Sequence, residues 1–497
     1  MSEKKTRLCD TITFMSPAPK LYEQVAEKIK VQIENGVFNP GQKVPSVRVI
    51  SRQLKVSVFT VIQAYWALEN QGYLESLPKS GFYVPSSRQL LPKEPNGDRN
   101  ANTPKLSSGK SLTAKIQSMG SFIAAMTNPK NLFLSIGYPG LAVLSTKSLR
   151  KSMKIGSLKI GDAGFSYNSS LGYLPLRKQL ARHYFDRGLN VSPDQIIMTA
   201  GGSESLNICY RMAGGPGGII AVESPMVALL PICLQYHGLK ILEIPMSPRD
   251  GMNLDVLKKA LRRHPVKACV TMPNFHNPTG SIMPDENKKR LLEILAERGV
   301  VLIENDVYGD LHFGDNPAKP AKAFDKTGNV VLCSSFSKSI APGVRVGWIL
   351  GGNYTERLAS ARFMGNASTN ALMEAGMADF MERGEFKRHM RKVHAFCETN
   401  LKIYTQAVLK YFPEGTRVSR PTGGLLFWVE FPEKIDASKV HKEVLANNIL
   451  ILPGHAFSLT PQFKNCVSIS FGHKWSEKME KVLELIGDLA KKQLSEK

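Results

Sequence analysis

Apolar residues follow two different spacings in two parts of the chain. In the N-terminal part, Leu21, Val25, Ile29 and Ile33 recur at helical spacing with charged residues between them, and Gly36 follows as a stop signal. Further along, short apolar runs alternate with helical patterns. This change of period predicts a small helical unit followed by a large α/β unit.

The N-terminal pattern predicts three helices and a hairpin. The predicted elements are a first helix from Leu21 to Asn35, a short second helix ending at about Leu54, a third helix from Val58 to Gln71, and two short strands at residues 73–75 and 81–84. Ser57 stands where an N-cap of the third helix is expected. This order is typical of a winged helix-turn-helix, whose third helix enters the DNA major groove.

The residues of this unit resemble the GntR family of DNA-binding domains. The resemblance rests on P-G-Q-K-V-P-S-V-R at residues 40–48 and S-G-F-Y-V at residues 80–84. It implies that Ser46 and Arg48 bind phosphate, and that Ser57 and Thr60 lie at the DNA end of the third helix. It also implies that Gly81 turns the wing. The alternative is a helical module that docks on a protein.

One position departs from the GntR pattern. Val58 stands where family members often carry arginine. Either the direct readout of bases is weaker here, or Gln63, Lys55 and Lys79 in the wing take it over.

Seven apolar runs predict a mainly parallel seven-stranded sheet, with ligands bound beyond the strand ends. They span residues 196–198, 218–222, 239–244, 268–272, 300–303, 330–332 and 346–350. The stretch before them is rich in Ser, Pro, Asn, Lys and Gly, which is typical of a flexible linker. The predicted boundaries are a winged helix-turn-helix at 15–85, a linker at 86–120 and a large domain at 121–497, divided into a large part at about 165–350 and a smaller α+β part at 351–497.

The densest motif follows the predicted strand that ends at residue 332. Residues 335–348 read S-x-S-K-x-x-x-P-G-x-R-x-G-W. The amine of Lys338 can form a Schiff base with an aldehyde, and Arg345 with Ser335 and Ser337 can hold a phosphate by charge-assisted hydrogen bonds. Pyridoxal phosphate carries both groups. The alternative is a surface Ser/Lys loop between two strands.

This string resembles the lysine motif of the fold-type I, aspartate-aminotransferase-like enzymes. Gly202 and Ser203 follow the first strand, where the free N–H groups of a helix start can meet the phosphate. The resemblance implies that Asn277 and Tyr308 bind the phenolic oxygen of the cofactor. It further implies that Asp306 pairs with the pyridine nitrogen and keeps it protonated.

Three further positions bear on subunits and substrates. The resemblance implies a dimer in which Tyr167 reaches the phosphate of the neighbouring subunit. Val227 stands where the enzymes usually stack an aromatic ring on the cofactor. Ser468 stands where they carry the arginine that binds the substrate carboxylate, and serine cannot copy that bidentate contact. Unless Arg420 or His473 substitutes, transaminase activity is expected to be weak or absent.

Composition narrows the class of protein. The net charge of +23 favours an anionic partner but is spread along the chain. No apolar stretch approaches the roughly 20 residues of a membrane helix, so a cytoplasmic protein without a membrane partner is expected. The seven cysteines form no C-x-x-C pair, which predicts free thiols and no metal site.

The combination of both units resembles the MocR subfamily of bacterial transcription regulators. It implies a homodimer, with a domain-swapped head-to-tail arrangement as one available form, that binds a double-stranded DNA operator. Pyridoxal phosphate on Lys338 would then sense an amine, an amino acid or the cofactor itself. The competing hypothesis is an active aminotransferase that carries a DNA-binding domain. A regulator with a non-functional cofactor pocket is disfavoured, because every expected covalent and ionic contact to the cofactor is present.

Overall fold

The structure is a computed structural model. It describes residues 21–70, 72–77, 80–85, 94–95, 103–107, 124–125, 128, 130–135, 137–140, 143–314 and 317–495. The chain forms two compact units, divided between residues 91 and 92. Each unit is described by itself.

The first unit is a three-helix bundle with a small hairpin. Its elements are α1 at Leu21–Glu34, α2 at Val47–Leu54, α3 at Val58–Asn70, β1 at Glu75–Leu77 and β2 at Gly81–Tyr83. Val25, Ile29 and Ile33 of α1 are buried in one cluster with Tyr65 of α3, whose hydroxyl donates to the carbonyl oxygen of Pro45 at 2.5 Å. Strands β1 and β2 pair in antiparallel fashion. The predicted winged helix-turn-helix is therefore confirmed.

The second unit contains the remaining strands. In chain order they are β3 Lys105–Leu106, β4 Leu132–Phe133, β5 Ile196–Thr199, β6 Ile219–Ser224, β7 Lys240–Ser247, β8 Gly251–Met252, β9 Val266–Thr271, β10 Val301–Asn305, β11 Val330–Ser335, β12 Gly347–Leu350, β13 Arg417–Val418, β14 Leu426–Glu430, β15 Ile449–Leu450, β16 Leu452–Pro453 and β17 Cys466–Ser470.

One large sheet has the order β3-β7-β6-β9-β10-β11-β12-β5, with β8 added on β7. The five strands from β7 to β11 are parallel, while β12 runs antiparallel to both β11 and β5. The seven predicted apolar runs all form strands of this sheet, and the predicted mainly parallel architecture is confirmed. The parallel strands end at one edge, which is where such sheets place their ligands.

Helices cover both faces of this sheet. The helices of the second unit span Thr146–Ile160, Leu174–Asp186, Gly202–Ala213, Leu230–Tyr236, Leu254–Arg263, Asp285–Ala296, Thr355–Gly365, Ala371–Glu382, Glu385–Tyr411, Ala437–Ala446 and Glu477–Ser495. Strand β10 illustrates the two cores, since Val301 and Ile303 pack into one cluster and Leu302 into the other. Within the described ranges, no helix is long and apolar enough to cross a membrane.

Part of the predicted linker belongs to the sheet. Strand β3 pairs antiparallel with β7, matching Lys105 to Glu243 and Leu106 to Leu242. The amide of Ser107 donates to the carbonyl oxygen of Ile241 at 2.8 Å, and the Ser107 hydroxyl accepts from the Ile241 amide at 3.0 Å. Residues 103–107 are thus an exception to the prediction of a flexible tether, because backbone pairing at a sheet edge requires no apolar pattern.

A second sheet, of order β13-β14-β17-β16, lies in the C-terminal part of this unit. A separate pair joins β4 to β15 in parallel, so residues 132–133 pack with the C-terminal part although they precede the large sheet. This agrees with the prediction of a smaller α+β part.

Candidate functional site

The surface formed by α2 and the start of α3 carries the residues predicted to contact DNA. Ser46 precedes α2 and is exposed, and its side chain makes no capping hydrogen bond to that helix. Arg48 is exposed in the first turn. The Ser57 hydroxyl accepts a hydrogen bond from the Thr60 amide at 3.0 Å, so Ser57 caps α3 as predicted. Helix starts that present hydroxyl and guanidinium groups to solvent suit phosphate binding.

The other predicted DNA contacts differ in exposure. Thr60 and Gln63 are half-buried, and Lys79 lies outside the described residues. Phe59 in the first turn of α3 leaves 62% of its surface exposed, and Val58 leaves 45%. These two side chains carry no hydrogen-bonding group, yet an apolar group at this place can touch a thymine methyl.

In the second unit, a cavity of about 370 Å³ lies at the carboxyl ends of the parallel strands. Eight of the residues predicted to bind the cofactor line it, namely Gly202, Ser203, Asn277, Tyr308, Ser335, Ser337, Lys338 and Arg345. The fold therefore brings together residues that are up to 143 positions apart in sequence, from 202 to 345. The cavity is large enough for a small cofactor.

Lys338 follows β11 by three positions and reaches the cavity from the loop between β11 and β12. Burial, and then the neighbouring charge of Arg345, lowers the pKa of Lys338 to about 8. A larger fraction of its amine is therefore neutral near pH 7 than for an ordinary lysine. This is the form that attacks a carbonyl carbon.

A group of hydrogen-bond donors beside this lysine, called the anion cup below, is formed by Gly202, Ser203, Ser335, Ser337 and Arg345. The helix Gly202–Ala213 starts at the cavity and directs free backbone N–H groups towards it. The Arg345 guanidinium donates to the carbonyl oxygen of Ala200 at 2.8 Å and contacts the Ser337 hydroxyl at 3.4 Å. A Cβ at Gly202 would lie 3.3 Å from the Ser335 hydroxyl, so glycine keeps the cup open. Such donors suit a phosphate group.

Two polar side chains line another part of the wall. The Tyr308 hydroxyl donates to the carbonyl oxygen of Gly137 at 3.1 Å, and burial raises the pKa of this phenol, which keeps it neutral. The Asn277 Oδ1 is buried and has no hydrogen-bond partner in the described part of the chain. An amine, an anion cup and an amide with an unpaired oxygen around one cavity fit the functional groups of pyridoxal phosphate.

Asp306 has a different setting from the one expected. Its carboxylate lies 2.7 Å from the guanidinium of Arg187 and accepts a hydrogen bond from Nδ2 of Asn274 at 3.0 Å, and all three side chains are buried. Asp306 is not among the described residues that line the cavity. The expectation that Asp306 meets a ring nitrogen does not fit this geometry. Its carboxylate instead neutralises a buried arginine.

The remaining predicted positions have separate surroundings. Tyr167 is 87% exposed and does not line the cavity, so its contact with a neighbouring subunit stays a prediction. Val227 lines the cavity with an apolar side chain. Ser468 is buried in β17 and does not line the cavity, and neither Arg420 nor His473 lines it. Among the described residues, Arg345 is the one arginine of the cavity wall.

Asn305 and Glu223 are among the polar residues of the wall that sequence reasoning missed. Asn305 ends β10, and the alternation of Val301 and Ile303 along that strand could have revealed that its side chain faces the cavity. Glu223 lies in β6, where its carboxylate accepts from the Met272 amide at 2.8 Å. Burial raises the pKa of Glu223 to about 7.

Comparisons with known proteins cover both units. Residues 137–486 match the family model of aminotransferase class I and II, and residues 21–84 match that of bacterial regulatory proteins of the gntR family. Two Escherichia coli (strain K12) proteins named as uncharacterized HTH-type transcriptional regulators, YjiR and YdcR, are 32% and 30% identical to the chain. These alignments cover 94% and 96% of this chain, and 98% and 100% of the two relatives.

A solved structure with the same fold is a kynurenine aminotransferase of Pyrococcus horikoshii in complex with PMP. It is 26% identical, with a TM-score of 0.71, and the match covers 78% of this chain and 97% of that chain.

Proposed function

The chain belongs to the GntR-type transcriptional regulators of MocR-like architecture, in which a DNA-binding domain is fused to a class I and II aminotransferase domain, and from this premise we propose that it senses a small amine or amino acid through pyridoxal phosphate. The main support for a bound cofactor is the cavity, where Lys338 lies beside the anion cup and its Arg345. The pKa of Lys338 is lowered to about 8. The ligand acts on the winged helix only if it binds two states of the protein unequally.

The cofactor supplies an aldehyde carbon that amines attack and a ring that withdraws electrons. Lys338 would provide the protein's own amine. Asn277 and Tyr308 would hydrogen-bond the phenolic oxygen, and the donors already lining the cavity would hold the phosphate. For that second role we propose Gly202, Ser203, Ser335, Ser337 and Arg345, which line one wall.

Two features favour a sensor over a working aminotransferase. The described cavity wall offers no arginine besides Arg345, so a substrate carboxylate would lack the bidentate partner that orients it. Orientation supplies a large part of enzymatic rates, and its loss lowers turnover more than binding. Val227 adds an apolar contact where a stacked ring would hold the cofactor more firmly. The aminotransferase hypothesis remains the second candidate, because the amine and the anion cup are those that such an enzyme needs.

For the first unit we propose that Ser46 and Arg48 bind phosphates while Ser57, Thr60 and Gln63 face the bases. The exposure of Ser46, Arg48 and Ser57 supports these roles. Lys79 in the wing is proposed on sequence alone.

An Arg48→Ala variant is expected to bind duplex DNA of any sequence more weakly. One lost phosphate contact lowers the slope of log affinity against log salt concentration by about 0.9. Fluorescence anisotropy at several salt concentrations measures that slope. Lys28→Ala, which removes the same charge from an exposed position of α1, is the matched control and should leave the slope unchanged. Equal slopes for wild type and Arg48→Ala would refute the phosphate contact.

We also propose that the chain is a homodimer in which Tyr167 reaches the partner's phosphate site. Large apolar side chains are exposed along one region, with Phe165 at 80%, Tyr167 at 87% and Met364 at 79%. Arg362 donates to the carbonyl oxygen of Ser169 at 3.2 Å, so the two segments are neighbours. Such exposed apolar surface is typical of protein interfaces. A monomeric mass in sedimentation equilibrium would contradict this assembly.

A regulator of this kind works where its DNA lies. We therefore propose that the protein functions in the bacterial cytoplasm and associates with the nucleoid when it is bound to DNA. Retention of tagged protein in a membrane fraction after high-salt washing would contradict this location.

The proposed sensing role is tested by titrating the cofactor-loaded protein with a panel of amino acids and amines. Visible absorption and affinity for duplex DNA are recorded in the same samples. A reversible spectral shift for one ligand, accompanied by a change in DNA affinity and no keto product, is expected. Lasting conversion to the pyridoxamine form with release of a keto acid would favour the aminotransferase instead. Spectral shifts without any change in DNA affinity would remove the sensing role.

A further inference from the structure

The side chain at the end of β10 determines what this cavity offers to a bound ring. Val301 and Ile303 face the core on the cavity side, and Leu302 faces the other core. Asn305 follows the same alternation and lines the cavity. Only 8% of Asn305 is exposed, and its Oδ1 has no hydrogen-bond partner in the described part of the chain. This amide therefore has hydrogen-bonding capacity left for a ligand, and rotation about its last side-chain bond presents either Oδ1 as an acceptor or Nδ2 as a donor.

The carboxylate of Asp306, the next residue, cannot turn towards the cavity without a loss of stability. Asp306 points to the opposite side, where it pairs with Arg187 at 2.7 Å. Both side chains are buried, and turning the carboxylate towards the cavity would leave the Arg187 charge without that partner. Val307 and Tyr308 line the cavity on the other side of Asp306, so the chain presents positions 305, 307 and 308 and omits 306.

Building on the proposed function, we infer that Asn305 is the residue that meets the ring nitrogen of pyridoxal phosphate in this protein. A carboxylate at this place favours a protonated ring, because the two opposite charges attract. The amide of Asn305 adds no negative charge that would hold a proton on the ring, and rotated so that Nδ2 takes the place of Oδ1 it donates to the lone pair of an unprotonated nitrogen. The ring nitrogen in this cavity is therefore uncharged.

The charged groups around the cavity act in the same direction. Arg345 contributes positive charge to the wall, which disfavours a further cation. Glu223 is the carboxyl group of the described wall, and its oxygen is already engaged by the Met272 amide, with His276 Nε2 at 3.4 Å. Burial lowers the pKa of His276, which keeps this imidazole neutral. Glu223 is the one competitor for the ring nitrogen and is tested directly below.

An uncharged ring withdraws electrons less strongly from a bound amine than a protonated one does. Loss of the α-hydrogen of the ligand, on which transamination depends, is then slow. The site can hold an amine and release it unchanged. Asn305 thus separates recognition of the ligand from its conversion, which is what a sensor requires.

The inference is tested by nitrogen NMR of the protein loaded with pyridoxal phosphate that carries ¹⁵N in its ring. Magic-angle-spinning spectra are recorded for wild type, Asn305→Asp and Glu223→Gln. We expect the wild-type signal at the position of an unprotonated pyridine nitrogen, a large upfield shift to the pyridinium position in Asn305→Asp, and no change of protonation in Glu223→Gln.

Each other result overturns the inference. A pyridinium signal in wild type shows a charged ring, and an unchanged signal in Asn305→Asp shows that position 305 is not at the nitrogen. If such a wild-type pyridinium signal is lost in Glu223→Gln, the contact belongs to Glu223. If Asn305→Asp does not fold, Asn305→Ala replaces it, and loss of the amide hydrogen bond must then move the signal downfield. Absence of any bound ¹⁵N signal in wild type would refute the proposed function itself, which distinguishes the two failures.

Discussion

A Lys338→Ala variant is expected to lose the visible absorption of bound pyridoxal phosphate, because no other amine among the described residues lines the cavity. Without the covalent bond, the cofactor is held by the anion cup alone and is removed by dialysis. Absorption spectra after dialysis measure the loss. Lys326→Ala, which removes an exposed lysine between β10 and β11, should retain the full band. A retained band in Lys338→Ala would show that Lys338 does not form the covalent bond to the cofactor.

A second variant separates charge from chemistry at the same position. Lys338→Arg keeps a positive charge but offers no nucleophilic amine, so it should also lack the band.

In wild type, capture of added cofactor should accelerate as pH rises towards about 8 and level off above it, since burial and Arg345 lower the pKa of Lys338 to about 8. The sign follows from the neutral amine being the reactive form. Acceleration that continues to pH 10 would show that the pKa of Lys338 is not lowered.

Replacing Asp306 with alanine is expected to destabilise the large unit by about 3–5 kcal/mol, because it leaves Arg187 as a buried charge without its main partner. The carboxylate and the guanidinium are 2.7 Å apart, and their side chains are 0% and 4% exposed. Urea denaturation followed by tryptophan fluorescence measures the change in the free energy of unfolding, since three of the four tryptophans, Trp348, Trp428 and Trp475, lie in the large unit.

The matched control is Asp194→Ala. Asp194 also pairs with a buried arginine, Arg177, at 3.1 Å, but its own side chain is 81% exposed. A solvated pair of this kind contributes at most about 1 kcal/mol. Equal destabilisation by the two variants would contradict the structural role of Asp306. A loss of cofactor affinity in Asp306→Ala without a loss of stability would instead show that Asp306 contacts the cofactor.

Much of the fold could be predicted from local spacing. Helical periodicity defined α1 to within one residue of its end at Glu34, and seven apolar runs marked the seven main strands. The motif around Lys338 was informative because its amine, hydroxyl groups and guanidinium all lie on one loop after β11. In such cases the residues that act together are also close in sequence.

Contacts that depend on tertiary structure could not be predicted in the same way. The pairing of β3 with β7 joins residues 105 and 243 through backbone groups, which leave no trace in a hydrophobic pattern. The setting of Asp306 depends on Arg187, more than a hundred positions earlier. Only the direction of Asn305 could have been read locally, by continuing the alternation of Val301 and Ile303 to the end of β10.

Strand β3 also bears on how the large unit behaves when it is separated from the rest of the chain. The outer edge of β7 is covered by two short strands, β3 and β8. An uncovered edge presents unpaired N–H and C=O groups on which another chain can add a strand. A fragment that begins after Ser107 would lose β3 and expose the ladder groups of Leu242 and Glu243. Self-association of such a fragment would then report a missing edge strand and not the assembly of the intact protein.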